Sequence, residues 1–542
     1  MSNAYFHVPY PKNEVVLGYA PNSPERAALQ VALAAAKNTQ ADLPMIIGGK
    51  EVRTQQTYAI NPPHDLSRTL GVFHKGDATH VQQAIDAALA AKSTWENMAW
   101  HERAAIFLKA AELLAGPYRY KMNAATMLAQ SKNAFQAEID SACEMIDFFR
   151  YNAYFMSEIY KIQPDSQPGI WNRMEYRPLE GFVVAITPFN FTSIAGNLPC
   201  SPAMMGNVVV WKPAETQIYS AHVIMEILHE AGLPDGVINL VQVSGPTLGE
   251  IAFSHPQFAG VHFTGSTGTF NTMWKTIANN ISQYRSYPRI VGETGGKDFV
   301  VAHGSANPAE VAVALARGAF EYQGQKCSAA SRAYIARSIW NEVQEQLVAD
   351  VRSFKMGDVE DFSNFVNAVI DERSFDKITA YIAEAKTHEG VQILVGGNYD
   401  KTKGYFIEPT VIVTTDPQYI TMCDELFGPV LTVFVYEDAD FEATLDLVNS
   451  TSPYALTGAF FARQREVIAL ASERLRHAAG NFYINDKPTG AVVNQQPFGG
   501  GRASGTNDKA GSYLNLVRWV SARAIKENFV PPKDYRYSFL VK

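Results

Sequence analysis

Long apolar runs are missing from this chain: none reaches eighteen residues, so no helix of it is expected to cross a bilayer. Cysteine is scarce too. The four present, Cys143, Cys200, Cys327 and Cys423, show no C-x-x-C spacing, which excludes a disulfide scaffold or a zinc ribbon and leaves no metal to expect. Positive charge is in deficit, with 46 Lys and Arg against 54 Asp and Glu. A net charge of −8 argues against a nucleic-acid partner, which needs basic patches, and fits poorly with an anionic membrane surface. Repeats and low-complexity segments are absent. The N-terminus has no apolar core of a signal peptide and its first arginine is Arg26, so the expectation is a cytoplasmic protein, or a matrix protein already trimmed.

What is present is a normal globular composition, 47% apolar and 18% charged, over 542 residues, too many for a single core. Residues 1–60 read as an arm whose prolines, Pro9, Pro11, Pro21 and Pro24, interrupt any long element. A helix is expected from Asp77, a good N-cap, with Val81, Ala84, Ile85, Ala88 and Leu89 on one face. Others are expected over 102–114 and 138–150. From residue 181 short apolar runs alternate with helical stretches. Runs 181–186, 207–211, 237–243 and 260–264 read as buried parallel strands, and 193–205, 217–231 and 246–254 as the helices between them. Such alternation predicts a parallel sheet covered on both faces, with ligands beyond the strands' C-terminal ends. A second α/β region is expected over 298–510. The stretch 158–180 alternates like an antiparallel excursion, and the aromatic segment after 511 reads as strand seeking a partner.

Chemistry concentrates in a few loops. Gly324-Gln325-Lys326-Cys327-Ser328-Ala329 places a thiol among residues that imply free backbone N–H groups, and a thiol can be a covalent nucleophile. A lone cysteine is more often a small buried hydrophobe. Gly292-Glu293-Thr294-Gly295-Gly296-Lys297 offers a carboxylate as base, or simply a solvated turn. Asn190, after the run ending Thr187-Pro188-Phe189, suits an oxyanion donor or a helix cap. Lys212 and Glu215 follow the next strand, where ribose hydroxyls bind in dinucleotide folds. Phe263-Thr264-Gly265-Ser266 has the shape of a phosphate cradle but is not G-x-G-x-x-G.

The ordered motifs TPFNF, WKPAE, FTGST, GETGGK, GQKCSA, DELFGPV and QPFGG together resemble the aldehyde dehydrogenase superfamily. Ser23-Pro24-Glu25-Arg26, Gly480–Lys487 and Arg502–Lys509 are similar to its proline-catabolic branch. The resemblance implies an α/β fold: a Rossmann-like NAD-binding domain (1–157 and 179–300), an α/β catalytic domain (301–510) and a small β-flap for oligomerisation (158–178 and 511–542). It implies Cys327 as nucleophile, Asn190 and the Cys327 N–H as oxyanion donors, and Glu293 as activator of the hydrolytic water. It implies NAD as cofactor, held by Thr187, Pro188, Phe189, Lys212, Glu215, Gly245, Gly265, Ser266, Glu425 and Phe427. Phe270 stands where the wider family tends to have a second glycine, and reads as a marker of the branch.

The implied reaction is oxidation of L-glutamate γ-semialdehyde to L-glutamate. Ser328 with the Gly490 and Ala491 N–H groups would hold the α-carboxylate, and Phe191 and Phe498 would wall the carbon chain. Ala491 stands where the branch often has serine; only its N–H is needed. Another aldehyde, or a structural protein that kept the fold and lost turnover, are the rival readings. A homodimer or higher homo-oligomer is expected, and contact with a separate proline dehydrogenase stays open.

Overall fold

The computed structural model describes residues 4–541. Two seven-stranded sheets organise it. In the first, the strands Phe182–Thr187, Val208–Pro213, Ile238–Leu240, Phe258–Thr264 and Arg289–Glu293 run parallel. The short hairpin Met45–Ile47 and Lys50–Val52 closes one edge. The strands Phe182–Thr187, Val208–Pro213 and Phe258–Thr264 are buried along nearly their whole length because helices cover both faces. Across the sheet the order is Arg289–Glu293, Phe258–Thr264, Phe182–Thr187, Val208–Pro213, Ile238–Leu240. The chain therefore first winds outward from Phe182–Thr187 in one direction, then returns to its other side. That reversal opens a crevice beyond the C-terminal ends of Phe182–Thr187 and Phe258–Thr264, where open α/β sheets bind ligands.

The second sheet runs Val391–Val395, Thr410–Thr414, Val430–Tyr436, Ala330–Ala336, Asp298–Ala302, Thr457–Phe461, Asn481–Ile484, parallel except for its first strand. It carries its own hydrophobic core. Ile170–Pro178 pairs antiparallel with Val520–Asn528, an excursion outside both sheets.

Local chemistry sets the helices. Asp77 caps Ala78–Asn97 by accepting from the Thr79 N–H, as expected. The helices Thr192–Met204, Ile218–Ala231 and Gly245–Ala252 fall where the alternation placed them. The arm is corrected in one respect: Pro24–Asn38 forms a fifteen-residue helix. Pro24 opens that helix instead of breaking it, because a first-turn residue has no intrahelical use for an N–H, and Ser23 caps it from the Arg26 N–H. The 138–150 helix is also longer. It opens with a π-helical turn, Glu138–Cys143, and continues as Glu144–Tyr160.

That π turn turns Glu138 inward, where the Arg119 guanidinium, the Tyr19 hydroxyl (2.6 Å), the Asn123 amide (2.7 Å) and the Leu17 N–H (3.0 Å) satisfy it. Arg119 also pairs with Glu14 at 2.8 Å. Removing one partner of a buried pair strands the other charge. Arg119→Met is expected to destabilise the fold by about 3–5 kcal/mol, read as a lowered denaturation midpoint; an unchanged midpoint would show that the pair carries no stability.

Candidate active site

A cavity of about 250 Å³ opens between the two sheets, and Glu293, Cys327, Phe191, Ser328, Gly490, Ala491 and Phe498 all line it. Cys327 follows the helix Pro308–Phe320 and a turn in which Tyr322 (φ 52°), Gln323 (φ 54°) and Gly324 (φ 65°) are all left-handed. Only glycine adopts that region without cost. Side chains hold the turn: Tyr322 Oη donates to the Gln130 carbonyl (2.8 Å), and Gln323 Nε2 to the carbonyls of Ser131 (3.0 Å) and Ala368 (2.9 Å). At Gly324 a Cβ would come within 2.3 Å of the Gly428 carbonyl oxygen.

Asn190 does not cap the helix that follows it; the residue at the cap is Phe191, which makes no side-chain cap. Its Nδ2 donates instead to the carbonyl of Gln325 (3.0 Å), two residues before the thiol. An amide nitrogen carries two protons, so one remains for a second acceptor. Burial pushes the Cys327 thiol well above its ordinary range, and the carboxylates of Glu293, Asp298 and Glu425 add to the shift. Glu293 ends its strand, and its carboxyl is in no hydrogen bond or ion pair among the described residues; burial raises it to about 8. Ser328 Oγ lies 2.8 Å from Thr489 Oγ1, joining the Cys327 loop to the Thr489–Val493 segment.

Charged groups that the sequence reading did not single out surround the cavity. Asp140 and Glu144 stand four residues apart on one helical face; that spacing within an apolar stretch was the available signal. Lys132, fully buried, pairs with Asp140 (2.7 Å) and lies over the Phe191 ring (4.6 Å), while burial lowers it to about 8. Glu144 accepts from Ser193 Oγ (2.5 Å) and is raised to about 8 by burial and by Asp140. Lys326 and Lys487 share Glu321. Asn13, Glu14 and Val16 of the N-terminal arm complete the wall.

The expected cofactor residues lie outside this cavity's lining; all but Glu425 and Phe427, which precede the second-sheet strand Val430–Tyr436, sit at or after the C-terminal ends of first-sheet strands. Register sets Thr187 beside Pro213, Lys212 beside Ile186, and Thr264 beside Glu293. Gly265 donates to the Glu293 carbonyl (3.2 Å), and Ser266 caps the helix Thr267–Asn279. A Cβ at Gly245 or Gly268, each in the first turn of a helix, would meet open space, so both helix N-termini admit an anion close to the backbone. Among the described residues the Lys212 ammonium is bonded to nothing but the Pro213 carbonyl, at 3.3 Å. Glu215 is ion-paired with Lys75 (2.7 Å). Phe189 meets Phe427 edge-on at 5.8 Å, and Glu425 accepts from the Gly296 N–H (3.0 Å). Phe270 stacks on Phe263 (5.5 Å) and occupies the space beside Gly292, where a Cβ would come within 2.3 Å of its ring. This donor set fits a dinucleotide: helix N-termini for its phosphates, Lys212 and Glu215 for ribose hydroxyls.

Cys327 and Glu293 line the cavity; Asn190 does not, and is tied instead to the loop that carries the thiol. A crevice at a sheet reversal beside a cavity lined by a thiol and a carboxyl is the arrangement of an oxidising enzyme that works through a covalent adduct. Residues 51–520 match the aldehyde dehydrogenase family, and the chain belongs to it. It is 52% identical over 537 residues to the Delta-1-pyrroline-5-carboxylate dehydrogenase of Agaricus bisporus, covering 98% of each chain. With the mitochondrial human protein of that name it shares 46% over 529 residues, 97% of this chain and 94% of the relative. A crystal structure of the Delta-pyrroline-5-carboxylate dehydrogenase from Mycobacterium tuberculosis bound with NAD superposes with a TM-score of 0.97, at 52% identity and full coverage of both chains.

A carboxyl held near 8 stays protonated in the fold while it would ionise near 4.5 when unfolded. The stability this carboxyl allows is therefore complete below the unfolded value and declines as pH rises through about 8. Glu293→Gln is expected to raise the melting temperature at pH 8 while matching the parent near pH 4.5; parallel melting curves at both pH values would refute the buried carboxyl.

Proposed function

We propose that this protein catalyses the NAD-dependent oxidation of L-glutamate γ-semialdehyde, the open form of Δ1-pyrroline-5-carboxylate, to L-glutamate in proline catabolism. The observation that carries the reading is the single cavity that joins Cys327 and Glu293 to Ser328, Gly490 and Ala491. The substrate's carbon chain lies between Phe191 and Phe498, its α-carboxylate meets the Ser328 hydroxyl and the two backbone N–H groups, and its ammonium faces the Asp140 and Glu144 side. Several charge-assisted hydrogen bonds from neutral donors hold a carboxylate without an arginine.

At rest the thiol is protonated, so attack needs a base, and Glu293 stands in the same cavity with a proton affinity suited to the task. The Cys327 sulfur bonds to the aldehyde carbon. The free Asn190 proton and the Cys327 N–H stabilise the oxyanion, a donor of this kind being worth about 3–4 kcal/mol. A dinucleotide held at the crevice would supply the hydride acceptor for that carbon, which would leave a thioester on Cys327. Glu293, once it has passed the thiol proton to solvent, takes a proton from water, whose oxygen displaces the sulfur; that proton returns to the leaving sulfur and glutamate is released. Thr187, Pro188, Phe189 and Gly245 would contact the dinucleotide, Gly265 and Ser266 would neighbour its pyrophosphate, Lys212 and Glu215 would hold the adenosine ribose, and Glu425 and Phe427 would meet the nicotinamide end. Glu215 opposes a 2′-phosphate and so favours NAD.

The exposed pair Ile170–Pro178 and Val520–Asn528, with the exposed Phe529, Val530, Tyr535, Tyr537 and Phe539 beyond it, offers unpaired strand edges and apolar surface to a second copy. The enzyme works in an aqueous, reducing compartment, cytoplasm or mitochondrial matrix; among the described residues no helix is long and apolar enough to cross a membrane.

Light scattering is expected to give a mass of two or more chains, and a monomer would remove the flap's role. NADH formation with Δ1-pyrroline-5-carboxylate is expected from the parent. Cys327→Ala abolishes it while NAD still binds, and Ser328→Ala raises KM for this substrate but not for hexanal. NADH production by Cys327→Ala, or a preference for hexanal in the parent, would overturn the reading.

A further inference from the structure

The loop that carries Gly490 and Ala491 lies between the strands Asn481–Ile484 and Gly501–Arg502 and belongs to no helix or sheet. Gly490 is left-handed at φ 93°. Inside the loop, the Gln495 and Gln496 N–H groups donate to the Val492 carbonyl, and Val492 N–H donates to Gln496 Oε1, each at 3.0 Å. Among the described residues the backbone of 490–493 makes one hydrogen bond outside its own loop. It comes from the other end of the chain: Asn13 Nδ2 donates to the Val493 carbonyl (3.0 Å).

Asn13 is used to capacity. Its Nδ2 also donates to Asp147 Oδ2 (2.8 Å), and its Oδ1 accepts from Gln495 Nε2 (3.0 Å) and from the Tyr151 hydroxyl (3.4 Å). A side-chain amide has two donor protons and two acceptor lone pairs; three of the four bonds are undivided, and the fourth is shared, since the one Tyr151 proton also faces the nearer Pro11 carbonyl (3.2 Å). Its neighbours fix the arm independently. The Glu14 N–H donates to Asp147 Oδ1 (2.7 Å), and the Glu14 carboxylate pairs with Arg119 (2.8 Å) and Arg150 (2.6 Å). Asn494 Nδ2 adds a bond to the Tyr10 hydroxyl (2.9 Å). The arm thus reaches the loop through a rigid, buried helix, and it lines the same cavity.

We propose that Asn13 is a positioning residue for substrate selection: by fixing the Val493 carbonyl against Asp147 it sets where the Gly490 and Ala491 N–H groups point. Aldehydes that carry a carboxylate at the far end depend on this placement, and simple aldehydes do not. The inference rests on the assignment of Gly490 and Ala491 as the carboxylate anchor.

The test uses the full-length enzyme with Asn13→Ala, and Gln495→Ala as a milder, exposed variant that removes one of the four bonds. Two readouts are taken. Amide hydrogen exchange over 489–493 reports the loop whatever the substrate, and is expected to accelerate roughly tenfold in Asn13→Ala and less in Gln495→Ala. The KM for glutamate semialdehyde is expected to rise roughly threefold to tenfold, the effect of one net hydrogen bond, with kcat, the KM for propanal and NAD binding unchanged. Unchanged exchange in a folded Asn13→Ala overturns the positioning role, and so does an equal rise in KM for both aldehydes. Accelerated exchange in an enzyme that never preferred the semialdehyde supports the positioning role and defeats the substrate assignment alone.

Discussion

Two consecutive non-glycine residues held left-handed, Tyr322 and Gln323, are the constraint on which the site depends. Each costs about 1–2 kcal/mol relative to a right-handed residue. Such a turn persists only where its surroundings over-determine it. Here the surroundings belong to another layer: Gln130 and Ser131 close the helix Arg119–Gln130, and they receive the Tyr322 hydroxyl and the Gln323 amide. Gln130 also donates to the Phe189 carbonyl, one residue before Asn190. A single two-residue helix end therefore sets both the Cys327 loop and the turn that carries Asn190. The sheets can be separate cores and still present one site, because this end is shared between them.

Charge around the cavity follows the same economy. Lys132 has no contact with solvent, yet it meets Asp140 and the faces of Phe191 and Tyr322. A buried ammonium is tolerable only with such company. It fixes the aromatic wall of the substrate space from behind. Two carboxyls with raised proton affinity, Glu144 and Glu293, belong to the lining. Their environments differ chiefly in neighbours: Ser193 and Asp140 for one, Lys509 and Asp508 for the other.

Much of this was legible from residues alone because the signals are local. Strand and helix alternation from 181 onward has two clean periods, and Asp77 is a cap by its chemistry. The motif loops could be read because thiol, carboxyl and amide each sit beside glycines or at a strand end. The arm resisted for a physical reason: Pro24 looks like a breaker unless its place in the first turn is known. Asn13 and Lys132 were invisible for another. Their meaning comes from partners far along the chain, Val493 for one and the Phe191 ring for the other, and no periodicity announces a contact of that range.

The ion pair between Lys75 and Glu215 alters what the glutamate does. Lys75 follows the strand Gly71–His74 of a small three-stranded sheet, whereas Glu215 follows Val208–Pro213 of the large one. An isolated carboxylate would repel a second phosphate on the ribose by its full charge; one already neutralised by an ammonium repels it far less. With Glu215 beside the adenosine ribose as proposed, discrimination between the two dinucleotides belongs to a couple spanning two sheets, and added salt weakens it by screening the remaining repulsion, without any change in the protein's shape.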